Sequence, residues 1–259
     1  MNTSHSPALV LAIVAQKGGV GKTSTALAFS AGLALKGKRV LCIDMDAQGN
    51  LSQTMRAAPG GLSVLDVLTR KATAQQTAQQ TEQGNIIPAS PALAGADAVI
   101  TATGKEYRLR EALEPLRSMY DYIVIDTPPA LGILTVNALT AADVAIIPAQ
   151  ADIYSLQSIQ QLYETIETVQ RYCNPGLKVD GILLTRYSPR AVLSRDLAEA
   201  AAQAAEAYNT RLYKTAIREN IAVKEAQLEQ TNIFQYAPKS NAAMDYAAAI
   251  EEFMEENKK

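Results

Sequence analysis

The chain has 259 residues, 48% of them hydrophobic, and a formal net charge of −2. That is enough to bury a full core and fits one large α/β domain over residues 1–259; the near-balanced charge excludes a global basic field of the kind that announces nucleic acid. Two cysteines, Cys42 and Cys173, lie far apart without C-x-x-C spacing, which argues against a disulfide framework, a zinc site or an iron–sulfur site and points to a reducing cytoplasm. No apolar run reaches the length of about eighteen residues that a membrane span needs. Residues 1–7, expected to be a flexible leader, carry no basic segment of the kind that opens a signal peptide.

The apolar run 8–15 is the first expected strand, and 27–35 reads as a helix closed by Gly37. Between them stands Gln16-Lys17-Gly18-Gly19-Val20-Gly21-Lys22-Thr23-Ser24. Strand, glycine-rich turn and helix N-terminus are the context of a phosphate-binding loop. Glycines let backbone N–H groups surround phosphate oxygens, and the helix adds its positive end. Lys22 can reach the β- and γ-phosphates, and the Thr23 hydroxyl can sit on Mg²⁺. The loop departs from G-x-x-x-x-G-K-[ST] in two ways. Gln16 stands where the first glycine should be, and a second lysine, Lys17, heads the loop.

With those departures, the segment resembles the deviant Walker A motif of the ParA/MinD branch of P-loop ATPases. The resemblance implies a P-loop NTPase fold, a doubly wound, mostly parallel sheet flanked by helices. It gives Lys17, Gly18, Gly19, Val20, Gly21, Lys22, Thr23 and Ser24 to the nucleotide. It also implies that Lys17 reaches across a nucleotide-sandwich homodimer to the partner's phosphates.

Residues 39–44 form a short buried strand that delivers Asp44-Met45-Asp46-Ala47-Gln48-Gly49-Asn50 to the carboxyl edge of the sheet, where open α/β sheets bind ligands. This segment resembles the family's D-x-D-P-Q-G-N, with Ala47 replacing proline. The resemblance gives Asp46 the attacking water and makes Asp44 a support for the loop lysine and the metal. From 57 to 104 the pattern is weaker. Residues 62–68 have helical spacing, the polar tract 72–83 is expected to be a loop or a solvated helix, and 85–89 a short strand. Residues 109–116 read again as a helix.

Tyr120-Asp121-Tyr122-Ile123-Val124-Ile125-Asp126-Thr127-Pro128-Pro129 is an apolar strand ending in aspartate, which is how a Walker B carboxylate is presented to Mg²⁺. The two prolines stop the strand and force an extended exit. A helix over 135–141 and a strand over 143–148 follow. The helix 153–171 carries Ile159, Leu162, Ile166 and Val169 on one face, a stripe expected to serve core or dimer packing. Its opening, Asp152-Ile153-Tyr154-Ser155-Leu156-Gln157, resembles a dimer-interface segment of the family. A strand over 177–185, a helix through 197–208 and a final helix over 241–255 complete the alternation. Leu183-Leu184-Thr185-Arg186 and Ala216-Ile217-Arg218-Glu219-Asn220 resemble segments that flank the adenine, with Ile217 replacing the proline of Ile-Pro-Arg-Asn, so Arg186 and Ile217 are base-pocket candidates.

Together the motifs suit transfer of a phosphoryl group from ATP to water with Mg²⁺ held by Thr23 and Asp126, and with Lys17, Lys22 and Asp46 as the catalytic set. Among the family's branches, membrane-bound relatives end in a basic amphipathic helix, whereas this tail, Glu251-Glu252-Phe253-Met254-Glu255-Glu256, is acidic. Iron-protein branches need clustered cysteines, and tyrosine-kinase branches a tyrosine cluster at the C-terminus. The DNA-segregation branch remains. Its support is the cation-rich C-terminal third: Arg186, Arg190, Arg195, Arg211, Lys214, Arg218 and Lys224, of which Arg190 and Arg218 are the preferred contacts to non-specific double-stranded DNA. The resemblance then implies a cytoplasmic, nucleoid-associated protein with a ParB-like centromere-binding partner. The alternative is a related ATPase that positions a protein cargo.

Overall fold

The computed structural model describes residues 6–150, 152–189 and 192–258. In chain order the elements are β1 (Leu9–Ile13), α1 (Lys22–Leu35), β2 (Val40–Asp44), α2 (Asn50–Thr54), α3 (Val64–Leu68), α4 (Ala74–Thr77), β3 (Gln79–Thr81), β4 (Gly84–Ile87), α5 (Ala96–Val99) and α6 (Arg108–Leu113). There follow β5 (Tyr122–Asp126), α7 (Ile133–Ala141), β6 (Val144–Gln150), α8 (Ile153–Tyr172), β7 (Lys178–Thr185), α9 (Val192–Ala207), α10 (Ala222–Leu228), α11 (Ile233–Tyr236) and α12 (Asn241–Glu256).

The strands make one sheet in the order β3-β4-β2-β5-β1-β6-β7, parallel except for β3. β1 shows why. Val10, Ala12 and Val14 enter one hydrophobic cluster, and Leu9, Leu11 and Ile13 enter the other. A strand apolar at every position must be covered on both faces, and parallel crossovers supply helices to both. One face carries α3, α6, α7 and α8, with Ile159, Leu162, Ile166 and Val169 of α8 buried in it; the other carries α1, α11 and α12, which contributes Tyr246, Ile250 and Phe253. The stripe on α8 therefore serves the core. No helix among the described residues is long and apolar enough to cross a membrane.

The tract 72–83 differs from the expected loop or solvated helix. Thr73 caps the single-turn α4, with Gln76 reaching back to complete a capping box, and Gln79-Gln80-Thr81 then pairs antiparallel with β4. Gly84, at φ 121°, sits in the backbone region that only glycine enters freely, so it takes the hairpin's return. The strand after α7 runs to Gln150, two residues beyond its expected end, and pairs with β7 out to Thr185.

Sheet register positions the site. Asp126 is level with Ile13 across one strand boundary and with Asp44 across the other. The phosphate-loop strand, the Asp126 strand and the Asp44 strand therefore end together at the carboxyl edge.

Candidate nucleotide site

The loop leaves β1 and turns through Gly19 (φ 76°) and Gly21 (φ 88°), a left-handed conformation that side chains disfavour. A Cβ built on Gly18 or Gly19 would meet nothing within 4 Å, so open space lies before the loop. Two carbonyls of the turn are tied to neighbouring strands. Gln150 Nε2 donates to Gly19 O at 2.9 Å, and Thr185 Oγ1 donates to Val20 O at 2.7 Å. A trans peptide sets its N–H opposite its carbonyl, so the N–H groups of Val20 and Gly21 turn the other way. Gly21 then caps α1 without a side-chain hydrogen bond, which leaves the first-turn N–H groups for a ligand.

Lys22 opens α1 and is only 6% exposed; its Nζ donates to Lys17 O at 3.1 Å. Burial lowers its pKa, and the charges of Asp126 and Asp46 oppose that fall. The lysine therefore lies within the field of both aspartates that the sequence assigns to metal and water. Asp126 is wholly buried, and neither of its carboxylate oxygens has a hydrogen-bond partner in good geometry, the nearby Thr23 hydroxyl being the donor that approaches it. Burial and the charge of Asp44 hold its pKa well above the usual carboxylate range, with the Thr23 hydroxyl and Lys22 acting against them.

A buried carboxylate without a partner costs several kcal/mol in its charged form unless a cation meets it. Hard divalent cations prefer oxygen donors, and the Thr23 hydroxyl beside Asp126 is a second one. These residues fit Mg²⁺.

Asp44 is also fully buried. Its Oδ2 accepts from Ser52 N (2.8 Å) and Ser52 Oγ (2.7 Å), and its Oδ1 accepts from Asp46 N (3.1 Å). Burial raises its pKa to about 6, and the Ser52 hydrogen bonds hold it from rising further. Asp46 is half-buried, with Oδ1 accepting from Gln48 N at 3.0 Å in a tight turn. Lys17 Nζ makes an ion pair with Asp152 Oδ2 at 2.5 Å within the same chain, both side chains being about one-third exposed.

Other candidates fall elsewhere. Ser24 Oγ accepts from Gln227 Nε2 at 3.0 Å, which ties the loop helix to α10. Arg186, at φ 49°, pairs with Glu219 at 2.9 Å at the end of β7. Ile217 is 3% exposed; its N donates to Leu184 O and its O accepts from Tyr187 N, so its side chain packs in the core and both backbone groups are engaged. The base-pocket candidates thus divide, with Arg186 at the surface and Ile217 beneath it. Arg218 is committed to Asp245, donating through its backbone N (2.9 Å) and Nη2 (2.6 Å). Arg190 lies outside the described residues. Arg211 pairs with Asp180 and Glu252, whereas Arg195, Lys214 and Lys224 are exposed.

Ser52, Gln150 and Thr185 were not singled out for the phosphate edge from sequence. Gln150 and Thr185 are ordinary polar residues at strand ends, placed by sheet register, and Ser52 sits in α2, where the fold brings it to Asp44.

Residues 8–179 match a family described as AAA domain. The chain is 39% identical over 242 residues to the sporulation initiation inhibitor protein Soj of Bacillus subtilis, covering 92% of this chain and 94% of Soj. It is 36% identical over 250 residues to the chromosome partitioning protein ParA of Myxococcus xanthus, covering 95% and 87% of the two chains. Among solved structures it superposes with a TM-score of 0.86, at 34% identity, on cobyrinic acid a,c-diamide synthase of Mycobacterium smegmatis with bound ATP analogue and magnesium, covering 97% and 96%.

Proposed function

We infer, from a chain that belongs to the Soj and ParA family of P-loop ATPases, a Mg²⁺-dependent ATP hydrolase that pairs with a second copy when ATP is bound. In that state it holds double-stranded DNA without regard to sequence and so drives plasmid or chromosome segregation. The observation that carries the hydrolase reading is the convergence of Lys22, Asp126 and Asp46 on one sheet edge before an open glycine cradle.

Water adds to the γ-phosphorus of ATP as the bond to the bridging oxygen breaks, giving ADP and phosphate. The loop N–H groups and Lys22 hold the phosphates in place, and little else is required of the protein than position and charge. Thr23 and Asp126 would hold Mg²⁺, which when bound supplies positive charge against the phosphate oxygens. Asp46 orients the water and accepts its proton. Lys17 is the residue offered to the partner's phosphates, and in the single chain Asp152 holds it at home. Pairing of two copies therefore exchanges a carboxylate partner for a phosphate one.

The segregation role rests on the chromosome partitioning relative of Myxococcus xanthus and on the cations of the C-terminal third. Arg190 and Arg218 remain the proposed DNA contacts. Arg218 is held by Asp245 with 38% of its side chain exposed, so it offers an outer edge, and Arg195, Lys214 and Lys224 are exposed as well. A ParB-like centromere-binding protein is the proposed partner that stimulates hydrolysis. The test is binding to random-sequence duplex DNA with Mg²⁺ and either ATP or ADP. ATP-dependent binding that weakens steeply with added salt is expected. No binding at low salt with ATP overturns the DNA role, and no phosphate release with Mg²⁺ overturns the hydrolase.

A further inference from the structure

Resting on the hydrolase reading, we propose that Ser52 is a positioning residue for the hydrolytic step, fixing the turn that presents Asp46 and coupling it to residues 57–104. The hydroxyl has one proton and its direction is settled by its neighbours. Ala89 N is a donor, and it donates to Ser52 Oγ at 2.9 Å. The Ser52 proton therefore goes to Asp44 Oδ2, 2.7 Å away. Ser52 N donates to that same oxygen at 2.8 Å, while Asp46 N donates to the other at 3.1 Å.

The Asp44 carboxylate thus staples the residue that leads into the turn to one that follows it. Between them the turn closes on itself, with Gly49 N donating to Asp46 O at 2.9 Å. Asp46 stands inside a loop whose two ends are held by one buried carboxylate.

The staple does not end at Asp44. Ala89 follows β4, and its neighbour Pro88 accepts at its carbonyl from Val64 N at 2.8 Å. Ser63 Oγ gives its proton to Asp66 Oδ2 at 2.9 Å, so at 3.3 Å it accepts from Ser90 Oγ, and with Asp66 it forms the capping box of α3. Through Ser52, the water-orienting turn is hydrogen-bonded to the part of the chain that bears no nucleotide motif. That gives this segment work at the site. It holds the far side of the turn.

Placement matters here because misplacing a catalytic group by about 1 Å can cost about 100-fold in rate. Ser52 hydrogen-bonds Asp44 and Ala89 rather than the glycine loop, so its loss is expected to act on turnover and to spare binding. The experiment compares wild type, Ser52→Ala and Ser52→Thr by steady-state phosphate release and by affinity for a fluorescent ATP analogue with Mg²⁺. Expected are a fall in kcat of roughly 10- to 100-fold in S52A, an analogue affinity within about threefold of wild type, and recovery of most of kcat in S52T, which keeps the hydroxyl.

Unchanged kcat in S52A overturns the proposal. So does an equal loss of kcat and analogue affinity without recovery in S52T, which marks a structural role only. A wild-type chain that releases no phosphate overturns the hydrolase reading and Ser52's role with it; an active wild type beside an equally active S52A overturns the role of Ser52 alone.

Discussion

At the scale of single residues, the site sets charge against burial. Asp44 and Asp126 are adjacent in register, both buried, and both pushed toward the neutral form. Without nucleotide and metal this arrangement works against the fold. Asp44 holds its proton up to about pH 6 when folded, whereas an unfolded aspartate releases it near its ordinary value of 3.8. Between those limits the unfolded chain binds fewer protons, so stability falls as pH rises. The Asp44 contribution to that fall is complete once the pH has passed the folded value, and Asp126 extends it upward. Urea unfolding of the ligand-free protein at pH 4.5 and pH 7 is expected to show it, and Asp44→Asn is expected to flatten the difference.

Lys17 provides a second test at this scale. Its ion pair with Asp152 is partly exposed, and such pairs contribute on the order of 0.5 kcal/mol. Lys17→Ala should therefore leave thermal stability and ATP affinity near wild type. If the lysine acts across the pair of copies, the same change abolishes ATP-induced dimerisation and reduces hydrolysis at least tenfold. Sedimentation with a non-hydrolysable ATP analogue, beside a rate measurement, decides this; unaltered dimerisation and rate defeat the trans role.

At the scale of elements, α1 joins chemistry to core. Its first turn carries Lys22 and Thr23, and Thr25 Oγ1 lies 3.3 Å from Tyr246 OH of α12, while further along Gly32 faces Ile250 and Phe234. A Cβ built on Gly32 would run into Ile250 Cδ1 and stand 3.2 Å from the Phe234 ring. Gly32→Ala gains about 1 kcal/mol of helix propensity, and overpacking of a filled core costs about 1–3 kcal/mol. A net loss of about 1 kcal/mol in urea unfolding is expected, because Ile250 is itself fully buried and has nowhere to move.

Legibility in the sequence followed the same division. Strands β1, β2 and β5 were readable because burial on both faces makes them apolar throughout, and the loop because its glycines and lysines must be neighbours in the chain. β3 was not. Gln79-Gln80-Thr81 has no intrinsic strand pattern, and its pairing with β4 is what makes it one. The short helices α10 and α11 were missed for a related reason, since each is held by tertiary packing against α1 and α12 rather than by length. The Asp44–Ser52–Ala89 connection and the return of Lys17 to Asp152 join distant stretches, and no local window contains them.

At the scale of the whole molecule, the strand that leads into the glycine loop and the strands that carry Asp44 and Asp126 end at one sheet edge, so a ligand bound at the proposed site should raise the stability of the whole fold. At Mg²⁺ and ATP concentrations about 100-fold above the dissociation constant, linkage adds about 2.7 kcal/mol, or a rise in melting temperature of roughly 5–10 °C for a chain of this size. Removing Mg²⁺ with a chelator, or introducing Asp126→Ala, is expected to erase most of that rise relative to each protein's own ligand-free melt.

The two margins of the sheet bear on how copies of the chain can come together. On one side β3 offers only three residues, and on the other the backbone of β7 is bridged by Leu212, with Tyr187 just beyond it bridged by Arg218. Neither flank leaves a long row of unsatisfied amides onto which a neighbour could zip, as aggregating sheets do. The dimer proposed above would therefore form through side-chain surfaces, which can separate again, and not by extension of the sheet into a fibre.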